Sequence, residues 1–297
     1  MNLKYTVDNE TSGKLVKYIL KNKLELSERL IKKLKYSSNI LKNSIPVYVN
    51  EIVSIGDIVE VTIDFQEGNE DIIPENLLID IIYEDEALIA INKKAGIVVH
   101  PTSNHFSGTI ANGIMYYYKQ NGISKRVRPV SRLDRDTSGI IIFAKNQFIQ
   151  ESLIRQMKDK SFYKVYVGVV TGSLSQDKGT IDLPIERMPG SIILRHISQT
   201  GAPSITHFEV IERFPTATFV RFVLETGRTH QIRVHCQAIG HPLLGETLYS
   251  DLQTNLIERQ SLHSIKVSFN HPQTLKKVVL EVPLPEDINN VLEILRK

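Results

Sequence analysis

Apolar and polar positions along the chain alternate in two periods, and the switches between them mark the elements. From Ile58 to Phe65, Val59, Val61, Ile63 and Phe65 alternate with Glu60, Thr62 and Asp64. That is the period of a strand with one buried face. Leu15, Ile19 and Leu20 instead share a helical face behind Thr11-Ser12-Gly13. Ser27 is placed to cap a second helix, with Leu30, Ile31 and Leu34 inward and Arg29, Lys32, Lys33 and Lys35 on the other side. Val47 to Asn50 predicts a short strand between them, and Gly56-Asp57 a turn. Further on, Ala87 to Lys93, Ile140 to Lys145, Ser161 to Gly172 and Phe219 to Leu224 read as strands. Thr109 to Tyr118, with Ile110, Ile114 and Tyr117 on one side, and Asn146 to Lys160 read as helices. A helix opening at Thr229 or His230 ends at Gly240. Leu262 to Phe269 and Val278 to Val282 form a closing pair of strands around an Asn270-His271-Pro272 turn, and Pro283-Leu284-Pro285 leads into a last helix.

The polar, Gly-containing stretch Gln66 to Asp71, ahead of Pro74, separates these elements into two groups. The division expected is a small module over 1–68, a linker over 69–76 and a large domain over 77–297. A chain of 297 residues with 41% hydrophobic and 23% charged residues suits such a globular pair. One cysteine, Cys236, excludes an internal disulfide and a cysteine metal cluster, and reads as a small buried apolar residue. No apolar run is long enough to span a bilayer and the start has no signal core, so the expectation is a cytoplasmic protein with no membrane partner.

The net charge of +3 conceals a strong segregation: +6 over residues 1–45, eight acids and no base over 66–92, and +7 over 93–145. Two basic blocks around an acidic one suit a polyanionic partner. Asn121 to Arg128, inside the second block, reads as a basic loop.

That second block contains Arg132-Leu133-Asp134-Arg135-Asp136-Thr137-Ser138-Gly139, directly followed by the apolar run Ile140 to Ala144. A polar loop feeding a buried strand is a place where a rigid scaffold aims a functional group. By itself, an Asp between two arginines is also what a surface ion-pair cluster looks like. The loop resembles the signature of the RluA/RluD-type RNA pseudouridine synthases, in which the Asp is catalytic. Other stretches share the resemblance. Lys164, Tyr166 and Gly172 are similar to the family's second motif. Leu224 to Gly245, through Thr226-Gly227-Arg228-Thr229-His230-Gln231-Ile232-Arg233, is similar to its third. Lys93 to Pro101 and the closing strands follow it too, with Lys94 and Ser131 standing where many members have Pro and His. The two N-terminal helices, the Val-Asn stretch and the Gly-Asp turn resemble the alpha-L RNA-binding module of a small-subunit ribosomal protein.

The resemblance implies an α+β fold: a mixed, largely antiparallel sheet with flanking helices, preceded by a small α+β RNA-binding module. It implies Asp134, Tyr166 and Arg233 as catalytic residues, with Arg233 paired to Asp134. Arg132, Arg135, Lys164, Arg228, His230, Gln231 and Ile232 follow as substrate contacts. It implies a monomer acting on RNA, ribosomal RNA of the large subunit first and transfer RNA second. No phosphate-cradling Gly-rich loop or dinucleotide fingerprint is present, and the isomerisation needs no donor, so no cofactor is expected. His230, His235 and His241 are spaced by five and six and do not share one helical face, so no metal site is expected. Two other classes fit parts of the sequence: a non-catalytic RNA-binding or ribosome-assembly protein using the basic blocks alone, and a hydrolase using His, Asp and Ser. The first leaves the three candidate catalytic residues unexplained; the second lacks a nucleophile elbow.

Overall fold

The first residues, Asn2–Thr6, form strand β1, with Leu3 and Tyr5 turned toward the core. Helices α1 (Val16–Asn22) and α2 (Glu28–Lys35) follow, and then strands β2 (Ile40–Lys42), β3 (Ile45–Pro46) and β4 (Ile58–Thr62). The four strands make one sheet in the order β1-β4-β2-β3. Ser27 Oγ accepts from Leu30 N at 3.1 Å, so α2 starts where the sequence sets it, and Leu30, Ile31 and Leu34 are buried. In a computed structural model, this chain is described over residues 1–37, 39–65, 71–102 and 105–297.

One expected strand is displaced. Val47 to Asn50 is a loop and turn, and the pairing strand is Ile45–Pro46. Asn43 and Ser44 both have positive φ (53° and 68°), which makes a tight turn between β2 and β3. Such a turn fits the twist of a hairpin and fixes its register. Val47 N still reaches Ile40 O at 3.1 Å, but beyond it Glu51 Oε1 accepts from Tyr48 N at 3.0 Å and closes a turn, so the pairing stops there. Val47 and Val49 pack on the core from outside the sheet.

The remaining elements are β5 (Ile81–Glu84), β6 (Leu88–Lys93), α3 (Ile110–Gln120), β7 (Arg128–Pro129), β8 (Ser138–Ala144), α4 (Gln147–Lys158), β9 (Tyr163–Thr171), β10 (Lys178–Asp182), β11 (Ile185–Arg187), β12 (Arg195–Ile197), β13 (Ile205–Arg213), β14 (Ala217–Leu224), α5 (Gln231–Ala238), β15 (Leu262–Asn270), β16 (Lys277–Glu281) and α6 (Glu286–Leu295). Ten strands form one sheet, β10-β13-β14-β9-β15-β8-β6-β5, with β16 on β15 and β7 on β8. Its ladders are antiparallel except where β8 meets β15. The fold is therefore α+β with a mixed, largely antiparallel sheet. The elements from β10 to β13 and β1 carry no element in the sequence reading; β1 had its signal in the alternation Leu3, Tyr5, Val7. On α3 the inward aromatic is Tyr118, fully buried, while Tyr117 leans out to donate to Glu84 at 2.6 Å.

β8 is the strand on which the sheet turns. All seven of its residues are buried, and each large aliphatic among them stabilises the fold by roughly 1.5–3 kcal/mol. Its second residue, Gly139, has φ +106° and lies against the Ser264 backbone of β15 so closely that a Cβ has no room. Gly139→Ala meets both a forbidden φ and a backbone clash, so a loss of about 3 kcal/mol is expected, read as a lowered urea midpoint at unchanged slope.

Of the stretch expected as a linker, Gln66 to Glu70 lies outside the described residues. Ile72 is buried, Asn112 donates to Ile73 O at 2.8 Å, and Gly108 N bonds Glu75 at 2.8 Å. Residues 72–75 are thus tied down against α3. The small sheet and its helices share a hydrophobic cluster with the β6/β8 side of the large sheet. Ser27–Glu151 at 2.9 Å, Glu25–Arg155 at 2.8 Å and Asp64–Lys125 at 2.9 Å bridge the same boundary. Among the described residues, no helix is long and apolar enough to cross a membrane.

Candidate active site

The loop before β8 turns at Asp134, whose carbonyl accepts from Thr137 N at 3.2 Å. Its underside is pinned by two buried cations. Lys93, 1% exposed, donates to the carbonyls of Lys94, Ile97 and Arg135 at 2.9, 2.9 and 2.7 Å. Burial pushes its ammonium down to about 7, against the pull of Asp136 and Asp134. Arg259 grips the other side: it donates to Asp136 O at 2.9 Å and Ser138 Oγ at 3.3 Å, and forks onto Asp287 of α6 at 2.7 and 3.0 Å. The sequence gives neither cation this role, because Arg135 lies 42 residues from Lys93 and Asp136 lies 123 from Arg259.

The loop carries the Asp134 carboxylate, a quarter exposed, to the start of α5. Arg233, on the first turn of that helix, donates to Asp134 Oδ2 at 3.4 Å. Its main partner is another acid. Glu246, with a fully buried side chain, takes Arg233 Nε and Nη2 at 2.7 Å each, a fork-to-fork pair. Glu246 Oε1 also accepts from Leu248 N at 2.8 Å and Tyr249 N at 3.3 Å. Burial raises the Glu246 carboxyl, but the Arg233 bonds and charge and these two amides outweigh it and hold the group below its ordinary value. So Arg233 is locked from behind and offers one edge to Asp134. The spacing of Arg233 and Glu246 held no signal for this, since many acids lie as close in sequence.

His230 stands at the N-cap of α5 in the left-handed region, φ 58°. A non-glycine residue there is costly and persists where its surroundings dictate it. The strain aims Nε2 at Asp134 Oδ1, 3.8 Å away, while Nδ1 bonds the Tyr249 hydroxyl at 2.6 Å. Burial holds this imidazole below its ordinary value, opposed by Asp134 and helped by Arg233 and Arg195. Tyr249 also lies under the Arg233 guanidinium, 5.3 Å from ring centre to carbon.

Tyr166 closes the pocket from β9. It is 5% exposed, and burial followed by the Asp134 charge drives its hydroxyl far above the ordinary value, so it is protonated at neutral pH. Asp134, Tyr166, Arg233, His230 and Ile232 line a cavity of about 60 Å³ together with Arg132 and Arg228. That is room for about two waters, so a larger occupant must displace side chains. Arg132 is the outermost; its Nη2 spans the mouth to Thr229 Oγ1 at 2.8 Å.

Two expected contacts lie elsewhere. Lys164 points its ammonium over Phe162, 5.8 Å from the ring, and burial lowers it to about 8. A register shift between Ser264 and Lys266 on the facing strand interrupts the regular pairing beside it. Arg135 forks onto its neighbour Asp136 at 3.0 to 3.2 Å. Gln231 is at the pocket but spends its amide internally, accepting from Thr226 and Arg228 N and donating to Ile205 O and Thr206. It braces the loop before α5. His235 and His241 are held singly by Thr206 and Leu183 and by the Thr171 carbonyl. Cys236 is fully buried, and burial pushes its thiol up.

A family model described as RNA pseudouridylate synthase matches residues 87–238, the span from β6 to the end of α5. The chain is 38% identical over 293 residues to the Bacillus subtilis (strain 168) protein named uncharacterized RNA pseudouridine synthase YlyB, covering 98% of this chain and 96% of that one. It is 43% identical over 235 residues to a ribosomal large subunit pseudouridine synthase D of Buchnera aphidicola subsp. Acyrthosiphon pisum, covering 74% of each. Among solved structures, the human RNA pseudouridylate synthase domain containing 4 superposes with a TM-score of 0.60 at 20% identity, over 73% of this chain and 93% of that one. This last likeness concerns the fold.

Proposed function

Since the chain belongs to the RNA pseudouridylate synthase family, we propose that it isomerises uridines of large-subunit ribosomal RNA to pseudouridine, with Asp134 as the group that acts on the ribose. Pseudouridine formation breaks the bond from uracil nitrogen to ribose, turns the base and rejoins it through a ring carbon, which then loses its proton while the freed nitrogen gains one. One observation carries the assignment of Asp134. It is the acid of the pocket left open to a ligand, while the nearby Glu246 is spent on Arg233.

Arg233 aims Asp134, at a geometry set by Glu246 rather than by Asp134 itself. A carboxylate there serves either chemical route: attack on the ribose carbon that carries the base, or removal of a ribose proton to give a glycal. Both begin at the same atoms. Tyr166, protonated, serves as the wall against which the uracil ring lies and as a donor to it. A base stacked in a helix cannot enter, so the uridine must flip out, at a cost of roughly a few kcal/mol. Arg132, exposed at the mouth, is placed to meet the phosphate or fill the gap in the stack once it releases Thr229. Arg228 and His230 flank the entering nucleotide. Ile232 meets the nucleotide from the lining of the pocket, and Lys164, Arg135 and Gln231 act at one remove, through the strand and loops that hold it.

Residues 1–68 act as an RNA-binding module joined through 69–76 to the catalytic domain over 77–297. Support comes from the separate sheet and from α2, whose basic face is exposed at Arg29, Lys32 and Lys35. Such a face supplies affinity without sequence choice. The chain works as a monomer in the cytoplasm.

The target is tested by tritium release from uracil-carbon-labelled transcripts of large-subunit ribosomal RNA and of transfer RNA. Release from the ribosomal transcript at a rate at least about tenfold above the other is expected. Release from transfer RNA alone overturns the ribosomal target.

A further inference from the structure

A crevice of about 550 Å³ opens where α2 faces α4 and β7, away from the residues that surround Asp134. Its lining is cationic: Arg29 and Lys33 from α2, Arg126 and Arg128 from the approach to β7, against Asp71 and Glu151. Arg29 and Arg126 are exposed. The two walls belong to different sheets, yet they are fixed to each other by the Ser27–Glu151 and Glu25–Arg155 bonds. Lys33 lies over the Phe65 ring, 3.8 Å from its centre, and the buried Arg128 donates to Arg126 O at 3.2 Å, so Arg29 and Arg126 are the exposed cations of the two walls, and a pair of charges set apart in this way suits a chain of phosphates better than one small anion.

A second observation points to a ligand. Glu151 Oε1 accepts from both Ser27 and Gln147, at 2.9 and 2.8 Å, while Glu151 Oε2 is buried with no hydrogen-bond partner. A buried acceptor left open is expensive. In a cationic crevice it is offset by a donor that arrives with a polyanion, and a nucleotide carries such donors in its ribose hydroxyl and its base amines. The crevice and the Asp134 pocket are joined by a short run of chain: Pro129 lines the one and Arg132 the other. Pro129 is followed by Val130, Ser131 and Arg132, a step of at most about 10 Å.

We propose that this crevice is a second RNA-binding site, which holds the sugar-phosphate backbone of the segment flanking the uridine that enters the Asp134 pocket. The module and the catalytic domain then share one strand of substrate, and neither binds it alone. The inference rests on the reading of the chain as an enzyme acting on RNA.

The experiment is equilibrium binding of a large-subunit ribosomal RNA transcript at a series of salt concentrations. The double variant Arg29→Ala with Arg126→Ala is set beside a charge-matched control outside the crevice lining, Lys276→Ala with Lys277→Ala, both exposed. The crevice variant should bind roughly tenfold more weakly, and its slope of log affinity against log salt should fall by about 1.5, two lost phosphate contacts. The control should change neither by as much. Arg29→Lys with Arg126→Lys should restore most of the binding, which separates lost charge from lost folding. Equal losses in crevice and control variants, or an unchanged slope, overturn the proposal. The isomerase reading is scored separately by tritium release from the same transcript. Crevice-dependent binding by a wild type that releases nothing would overturn that reading and leave the crevice standing.

Discussion

Asp134→Asn is expected to abolish pseudouridine formation while RNA binding stays within about twofold of wild type. The amide is nearly isosteric and can still lie against Arg233, but it neither attacks carbon nor takes a proton. Removing a nucleophile or base of this kind lowers turnover by a factor on the order of 10⁴ or more. Tritium release under single-turnover conditions reads the chemistry, and filter binding reads the complex. Activity within tenfold of wild type would sink the assignment. Loss of binding in parallel with activity would instead make Asp134 part of the scaffold.

Glu246→Ala is the second large effect. Arg233 is almost as buried as Glu246, with 8% of its side chain exposed. Deleting the acid leaves a buried guanidinium with Asp134 alone, at 3.4 Å. Breaking a buried pair in this way costs about 3–5 kcal/mol, and here the loop amides of Leu248 and Tyr249 lose their acceptor as well. A lowered denaturation midpoint is the first readout. The second is functional. Arg233 should swing toward Asp134 and close on it, so kcat should fall more than the stability loss explains at temperatures where the variant is folded. Glu246→Gln keeps the size and one acceptor and should recover part of the stability but less of the rate. Equal kcat for wild type and folded Glu246→Ala would leave Glu246 a purely structural residue.

What was legible in the sequence is what short stretches carry. The loop from Arg132 to Gly139 and the strand behind it, the β9 strand and the α5 helix all announce themselves by local period and turn chemistry, and the structure sets Asp134, Tyr166, Arg233, His230 and Arg132 around one pocket. The neighbours that tune them were not legible. Glu246 is 13 residues from Arg233, Lys93 is 42 from Arg135, and Arg259 is 123 from Asp136. A charged residue in a loop gives no sign of which distant carbonyl or acid it will reach. The strand expected at Val47 to Asn50 failed for a different reason. The alternation there is real, but after one last bond from Val47 N to Ile40 O the chain turns on Glu51, whose side chain takes Tyr48 N. Lys164 shares the strand face expected of it with Tyr166 and still ends over Phe162, because neighbouring pairing, which alternation cannot report, decides where the head of a long side chain settles.

The single parallel junction of the sheet has a consequence in time. Gly139 and Ser138 are seated by Ser264 and His263 of β15, and Ser138 Oγ meets His263 Nδ1 at 2.8 Å across 125 residues of chain. Arg259 then ties the same loop to Asp287. During synthesis the Asp134 loop is made early and waits for its supports, for about 6–25 s at about 5–20 residues per second. A nascent chain still on its ribosome therefore carries Asp134 but no assembled pocket. An enzyme whose proposed substrate is ribosomal RNA would be born beside that RNA in a form unable to modify it, and would become competent only as the last strands leave the exit.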